Sequence, residues 1–259
     1  MCAIDREAAE LAMAITQSLE DAYASTEVQS SLQMTSERDG MAEDDDDDDK
    51  VVVVEARMCL DENWVCLFTD YIWQQQAIKL FEPGCPPIRG KFGVKEPIKC
   101  TRTQAPLRVR PIEGDGNCLF RALSYCVWRD ESNYSLVREA IVTHFPNVWH
   151  HPKIQYSSKS WYLQKTKQNA YVQLRDYTLT VQEYVDCSKM NENKMYGGST
   201  ELETSAHLFS TPIYVYFEGN PRAPACSWVV YGAEFVSSTT KCIALNWRLG
   251  NHFEVVNKM

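Results

Sequence analysis

The chain has 259 residues, of which 44% are hydrophobic and 24% charged, as is ordinary for a soluble globular protein. No apolar run approaches the roughly 20 residues of a membrane-spanning helix, and the N-terminus lacks the basic flank and apolar stretch of a secretory signal. The ten cysteines are irregularly spaced with no CxxC pair, which favours reduced thiols over disulfides or a cysteine-based zinc site. We therefore predict an intracellular, cytoplasmic protein with no membrane partner, a location that leaves nuclear access open.

The net charge of −9 is unevenly distributed along the chain. Residues 1–50 hold 15 acidic and 3 basic residues, whereas the remainder holds 20 acidic and 23 basic ones. The body is thus nearly neutral, and no basic surface indicates a nucleic-acid partner. Residues 22–50 are polar and end in six consecutive aspartates followed by a lysine. Such a segment cannot bury a core, so we predict a disordered acidic linker there.

Residues 1–21 contain helix formers and no Gly or Pro. Apolar and small residues recur at three- and four-residue intervals on one helical face, namely Leu11, Ala14, Ile15, Ser18 and Leu19. The pattern L-x-x-A-I-x-x-S-L-x-D, preceded by acidic residues, resembles the ubiquitin-interacting motif. In that family a short helix lays its Leu, Ala and Ile face on the apolar patch of ubiquitin. The alternative is an alanine-rich helix that packs on the body.

In residues 51–103 we recognise no catalytic or ligand-binding motif, and we interpret this segment as an N-terminal extension that packs on the body. "VVVVEARMCL" is typical of a strand, and "WVCLFTDYIWQQQAIKLF" predicts a helix with aromatic and aliphatic anchors. "EPGCPPIRGKFGVKEP" is rich in Pro and Gly and predicts a loop.

The body, residues 104–259, begins with "LRVRPIEGDGNCLFRALSYCVW", which predicts a short strand, a turn and a helix. Cys118 falls at the N-terminus of that helix. Free N–H groups and the positive end of the helix dipole favour a thiolate there, and the same N–H groups could hold an oxyanion. The alternative is a cysteine that merely packs, which suits Cys126 on the inner face of the same helix.

A cysteine nucleophile needs a basic histidine, and five histidines are available. We interpret His150 and His151 as loop or surface residues. His144 and His207 lie on predicted helices and suit surface or packed positions; Thr200 and Glu203 are expected to cap the second of these helices.

His252 is different, because it starts a predicted strand after a turn. Glu254, two residues on, shares its face of that strand and could orient the imidazole. Asp115 is the other candidate orienter, and spacing does not choose between the two carboxylates.

The segments "GDGNCLFRALS", "YGGSTELETSAHLFSTPIYVY" and "NHFEVV" together resemble the ovarian-tumour (OTU) family of deubiquitinating cysteine peptidases over residues 104–258. The resemblance implies an α+β papain-like fold, a small central β-sheet flanked by helices. It also implies that Cys118 is the nucleophile, His252 the base, and Asp115 the acidic residue of the cysteine loop. Glu254 departs from the Asp or Asn often found two positions after the histidine, which leaves the third triad member open.

The implied reaction is hydrolysis of isopeptide bonds at the ubiquitin C-terminus, without metal or organic cofactor. The implied partners are ubiquitin and ubiquitinated proteins, and a tethered ubiquitin-binding helix would concentrate such substrates at the cleft. Two alternatives stay open: a non-catalytic ubiquitin-binding adaptor, and a peptidase for another ubiquitin-like modifier or a mobile-element polyprotein.

Overall fold

The structure is a computed structural model, and it describes residues 63–81, 84–101, 103–166, 178–217, 228–237, 239–248 and 251–259. The chain divides into two units, Met1–Val52 and Val53–Met259, and all described residues belong to the second. The predicted N-terminal helix, the acidic linker and the "VVVVEARMCL" strand lie outside the described residues.

The described chain begins with three short strands and one helix, continues through five successive helices and ends in four strands. Its strands are β1 (Asn63–Cys66), β2 (Ile98–Thr101), β3 (Arg108–Arg110), β4 (Ile213–Phe217), β5 (Trp228–Tyr231), β6 (Ile243–Arg248) and β7 (His252–Lys258). Its helices are α1 (Tyr71–Ala77), α2 (Cys118–Trp128), α3 (Tyr134–Val148), α4 (Pro152–Lys165), α5 (Val181–Ser188) and α6 (Ser199–Phe209). No helix of this described part is long and apolar enough to cross a membrane.

Five strands form a mixed sheet in the order β3-β7-β6-β4-β5. The pair β4 and β6 is parallel, and the other neighbouring pairs are antiparallel. The hairpin β6–β7 sets Trp247 opposite Phe253 and Leu245 opposite Val255, so these apolar side chains share one face. The sequence predicted this alternation, and the register confirms it.

Helix α2 lies at the centre of the larger core, which covers that face of the sheet. All of its residues except Arg121 are buried, including Leu119, Leu123 and Trp128. Helices α3 and α6 contribute Ile141, Phe145 and Leu202 to the same core. This packing fixes the N-terminus of α2 against the start of β7.

The opposite face of the sheet is covered by a separate two-stranded antiparallel sheet, formed by β1 and β2. Trp64 stacks on Tyr214 with ring centroids 4.2 Å apart, and it also meets the edge of Trp228. The Cys66 thiol lies 3.1 Å from that of Cys242, sulfur to sulfur. The described part of the N-terminal extension therefore packs on the body through an apolar interface of its own.

Two local predictions were wrong. Residues 63–66 form strand β1 rather than the start of a helix, because they pair with β2 and alternate between exposed and buried positions. Helix α1 starts only at Tyr71, where the Asp70 carboxylate accepts from the Trp73 N–H at 3.0 Å. Helix α6 is capped by Glu201, which accepts from the Gly198 N–H at 2.7 Å, and not by a Thr200–Glu203 pair.

Candidate active site

The loop before α2 is held by its own polar groups and by the segment around Lys194. Gly116 adopts a φ of +89°, which favours glycine, and a Cβ there would collide with the Lys194 carbonyl. The buried Asn117 accepts at Oδ1 from the Lys194 N–H at 2.9 Å. The residue before Cys118 is thus fixed from both sides, and α2 begins at Cys118 as the sequence predicted.

Cys118 lies in a closed environment, with 2% of the residue exposed. Its thiol donates to the Asn251 carbonyl at 3.8 Å, sulfur to oxygen. Burial raises the pKa of the Cys118 thiol, although the backbone N–H groups of Phe253, Leu119 and Cys118 itself favour the thiolate and oppose that shift. The sequence prediction that the helix N-terminus would make this thiol acidic was therefore wrong for this state, because burial outweighs the N–H groups.

His252 begins β7, where it pairs with Arg248 across the hairpin. Its ring lies beside the loop that leads to Cys118, since a Cβ on Gly114 would be 3.6 Å from its Nδ1. The residues on either side of His252 contact the Cys118 sulfur through their backbones. The structure thus places the Cys118 sulfur against the backbone at the start of β7, the strand that carries His252, at the junction of loop, helix and sheet.

Asp115 is committed to its own loop and to α2. Its carboxylate accepts from the backbone N–H of Asn117 at 2.9 Å and from the Asn117 side-chain amide at 2.8 Å. Arg121 donates to both oxygens, and these bonds hold the pKa of Asp115 well below its usual range. These contacts tie Asp115 to the cysteine loop and to the first turn of α2.

Glu254 is buried on the same face of β7 as His252. Its Oε2 accepts from the Asn246 side-chain amide at 3.0 Å, and its Oε1 lies 3.8 Å from Arg248 Nη1. The Oδ1 of Asn246 is buried without a hydrogen-bond partner among the described residues. Neither Glu254 nor Asp115 bonds the His252 ring within the described chain, so the third member of the site is a matter for proposal.

Sequence reasoning did not identify Arg138, a buried cation on α3 whose hydrogen bonds hold the segments next to Cys118 in place. Its guanidinium donates to Asn117 Oδ1 at 2.8 Å and to the carbonyls of Met190 and Met195 at 3.0 and 2.8 Å. Its carbon Cζ lies 3.8 Å from the centroid of the Phe120 ring, and burial lowers its pKa to about 10. No local pattern marks this residue, because its partners are distant in sequence.

A cleft of about 630 Å³ adjoins the site. It reaches from the residues that flank His252 to helices α4 and α6, and its walls include Trp161, Tyr196, Gly197, Trp247, Asn251 and Phe253. Gly197 lies directly against Leu119 and Phe120, so a side chain there would collide with the first turn of α2. Because residue 197 is a glycine, this part of the cleft wall can pack closely against the first turn of α2.

A cysteine at a helix N-terminus that packs against the start of a strand carrying a histidine, on an α+β scaffold, is the arrangement of the papain-like cysteine peptidase class. Comparison with known families gives the same answer more specifically: the family described as OTU-like cysteine protease matches residues 113–253. Because this match covers more than half of the chain, the protein belongs to the OTU-like cysteine protease family. The family match confirms the fold class and the family resemblance predicted from the sequence.

Several solved structures are similar to this chain. The OTU domain of OTUD1 is 20% identical with a TM-score of 0.42, covering 57% of this chain and 83% of that one. The Hazara virus OTU bound to ubiquitin is 16% identical with a TM-score of 0.41, covering 59% and 81%. The viral OTU domain protease of Dera Ghazi Khan virus is 18% identical with a TM-score of 0.39, covering 59% and 81%. At such levels these likenesses carry no information on substrate. Comparison with curated proteins gave no match.

Proposed function

We propose that this protein is a deubiquitinase that hydrolyses isopeptide bonds at the C-terminus of ubiquitin, with Cys118 as nucleophile and His252 as base. The observation that carries the proposal is the convergence of the α2 and β7 termini, in a chain of the OTU-like family. Ubiquitin is the substrate that the family resemblance implies. We propose that the cleft next to the start of α2 receives its flexible C-terminal tail.

In the proposed reaction His252 removes the Cys118 proton, and the thiolate attacks the carbonyl carbon of the ubiquitin C-terminal glycine. The N–H groups at the start of α2 stabilise the oxyanion that forms. The tetrahedral intermediate collapses as the C–N bond breaks, and the imidazolium gives its proton to the departing lysine amine. His252 then removes a proton from water, which attacks the thioester and returns the thiol.

The buried state of Cys118 adds a requirement to this mechanism. The thiol donates to the Asn251 carbonyl, and burial disfavours its ionised form. Substrate must therefore displace the segment around Asn251, or be threaded beside it, before the thiolate is exposed to a carbonyl. We propose that occupation of the cleft by the ubiquitin tail provides this displacement.

We propose Glu254 as the group that orients His252, with Asn246 supporting it. Glu254 shares the strand face of His252, and Asn246 bonds its carboxylate from the neighbouring strand. Asp115 is the weaker candidate because its two oxygens already accept four hydrogen bonds from Asn117 and Arg121.

Residues 1–21 are proposed to bind ubiquitin through Leu11, Ala14, Ile15 and Ser18, as the motif resemblance implies. A cytoplasmic location is proposed on the same sequence grounds as above. A non-catalytic ubiquitin-binding role is the second candidate function, because the thiol is buried and no described carboxylate bonds the His252 ring.

A ubiquitin probe with a thiol-reactive C-terminus tests the proposal. We expect the full chain to form a covalent adduct that is lost in Cys118→Ala and strongly slowed in His252→Ala. Matched probes built on other ubiquitin-like modifiers should react more slowly. Binding without an adduct would support the adaptor, and preference for another modifier would change the substrate.

A further inference from the structure

Four side chains that can ligate a metal ion converge at a place separate from Cys118 and His252. They are His151, Glu203, His207 and Glu234, and one candidate ligand atom of each lies within 4.8 Å of all the others. His151 immediately precedes α4, Glu203 and His207 lie one turn apart on α6, and Glu234 follows β5 in a short 3₁₀ turn. The cluster thus joins three segments that are distant in sequence.

The two imidazoles point their Nε2 atoms at the same carboxylate oxygen. His207 Nε2 lies 2.9 Å from Glu234 Oε1, and His151 Nε2 lies 3.5 Å from that oxygen. The two rings meet edge to face with centroids 4.6 Å apart. Two nitrogens and one carboxylate therefore already surround a common point.

Glu203 supplies the fourth group, and its burial makes it informative. The residue is 2% exposed, and its Oε2 accepts from the Gly232 N–H at 3.1 Å. Its Oε1 has no hydrogen-bond partner among the described residues; Lys153 Nζ is 3.6 Å away, beyond hydrogen-bond distance. A buried carboxylate oxygen that lacks a hydrogen bond is costly even with an ammonium group nearby, and burial raises the pKa of Glu203. One oxygen of this carboxylate lies within 4.8 Å of the candidate ligand atoms of the other three residues.

We propose that His151, Glu203, His207 and Glu234 form a binding site for a divalent transition-metal ion, Zn²⁺ being the best fit. Two imidazole nitrogens and two carboxylate oxygens are ligands that zinc accepts, whereas magnesium and calcium prefer oxygen alone. Zinc bonds of 2.0–2.2 Å in a tetrahedron set ligand atoms about 3.4 Å apart. Separations of up to 4.8 Å need only modest side-chain adjustment to reach that value.

Four protein ligands would leave no open position, so the site is structural rather than catalytic. Bound metal would tie α6 to the start of α4 and to the turn after β5. Helices α4 and α6 both line the cleft, through Trp161 and Thr200 among others. The ion would therefore stiffen one wall of the cleft without touching the thiol chemistry, and the site is independent of the proposed function.

The sequence did not reveal this cluster, and His151 and His207 were interpreted as surface or packed residues. The competing explanation is an ion pair in which protonated His207 faces Glu234. It agrees with the Glu234 pKa, which His207 lowers to about 2. That explanation leaves Glu203 Oε1 unsatisfied and predicts no metal affinity, so the two accounts can be separated.

The test is calorimetric titration of the metal-depleted full chain with Zn²⁺. Wild type is compared with His207→Gln, Glu234→Gln and the control His150→Gln, which removes an exposed neighbour outside the cluster. We expect wild type and His150→Gln to bind one ion with equal affinity. The Zn²⁺ affinity of His207→Gln and Glu234→Gln should fall by more than the roughly 10- to 100-fold that is lost when a residue behind a metal ligand is replaced. Glu234 is partly exposed, so its variant should fold even if the helical His207 variant does not.

Two further readouts identify the ligands. Zn²⁺ should raise Tm in wild type and in His150→Gln but not in Glu234→Gln, and Mg²⁺ should leave Tm unchanged in all. Co²⁺ should give tetrahedral visible bands without a thiolate charge-transfer band. Absence of zinc binding, equal affinity in all four proteins, or a cobalt spectrum that shows thiolate ligation would overturn the proposal.

Discussion

Arg121 donates two hydrogen bonds to Asp115, from Nε to Oδ1 at 3.1 Å and from Nη2 to Oδ2 at 2.7 Å. This pair joins the first turn of α2 to the loop that precedes the nucleophile, so it fixes the entry of the chain into Cys118. The guanidinium also lies over the Tyr134 ring, 4.2 Å from its centroid. The charge on Asp115 therefore stabilises the conformation of the loop that precedes Cys118.

Asp115→Asn should lower the free energy of unfolding by about 1–3 kcal/mol, because bonds to a charged partner weaken. The loss should be full above the unfolded carboxyl pKa of about 3.9, should shrink progressively below it, and should vanish only when the pH falls through the lower folded pKa of Asp115. Urea unfolding across pH measures this. Glu113→Gln is the control, because Glu113 contacts the same Arg121 but is largely exposed. A constant difference across pH would contradict the charge argument.

Glu254→Gln should reduce kcat more than Asp115→Asn does, if Glu254 orients His252. Replacing a triad carboxylate by its amide can reduce kcat by up to about 10⁴-fold. Because Glu254 makes no direct bond to the His252 ring within the described chain, we expect its replacement to reduce kcat by about 10- to 100-fold. Single-turnover cleavage of a ubiquitin substrate measures the rate. Asn246→Ala should show a smaller loss, because it removes only the support at 3.0 Å. A larger loss for Asp115→Asn would reverse the assignment.

Cys118 should be alkylated slowly by iodoacetamide at neutral pH, because burial raises its pKa and closes access. Its rate should still rise as the pH is raised, and it should fall in His252→Ala if the imidazole assists ionisation. Cys126 should stay unreactive in the folded protein, since burial raises its pKa to about 12. Mass spectrometry of the labelled peptides separates the two thiols. Fast labelling of Cys118 at pH 7 would show that the closed state is rare.

Arg138→Met should destabilise the protein by about 3–5 kcal/mol, as for other buried charged networks that lose one partner. It removes bonds to Asn117, Met190 and Met195 at once. Where folded protein remains, adduct formation with the ubiquitin probe should slow, because Asn117 directly precedes the nucleophile. Arg89→Met is a suitable control, since Arg89 is mostly exposed and pairs with Asp130 at the surface. Similar unfolding curves for both variants would refute the support role.

Ala14→Arg should raise the KM for ubiquitin chains while leaving cleavage of mono-ubiquitin with a small leaving group unchanged. Arginine keeps helix propensity but puts bulk and charge where close approach is needed. Only chains can occupy helix and cleft together, so only they should respond. Initial-rate kinetics on both substrates test this. Equal chain kinetics in the two proteins would leave residues 1–21 as an ordinary amphipathic helix.

The sequence predicted the parts of the site that depend on local signals. The turn residues before Cys118 and the alternation around His252 each indicate a backbone conformation within a few residues. The partners of Arg138 and the convergence of His151 with Glu234 depend on tertiary packing between distant segments. No periodic pattern within a short stretch of sequence predicts such packing. The predicted direction of the Cys118 pKa shift was wrong for a related reason. Burial depends on the assembled core and not on the helix terminus alone.

The β1–β2 sheet determines where the OTU-like domain can be cut. A chain shortened to the family-matched residues would uncover Tyr214, Trp228 and Val230, which now pack under Trp64 and Cys66. Such an apolar patch on a sheet invites association between molecules. The minimal soluble fragment should therefore start before Asn63, so that β1 and β2 stay with the five-stranded sheet as one folding unit.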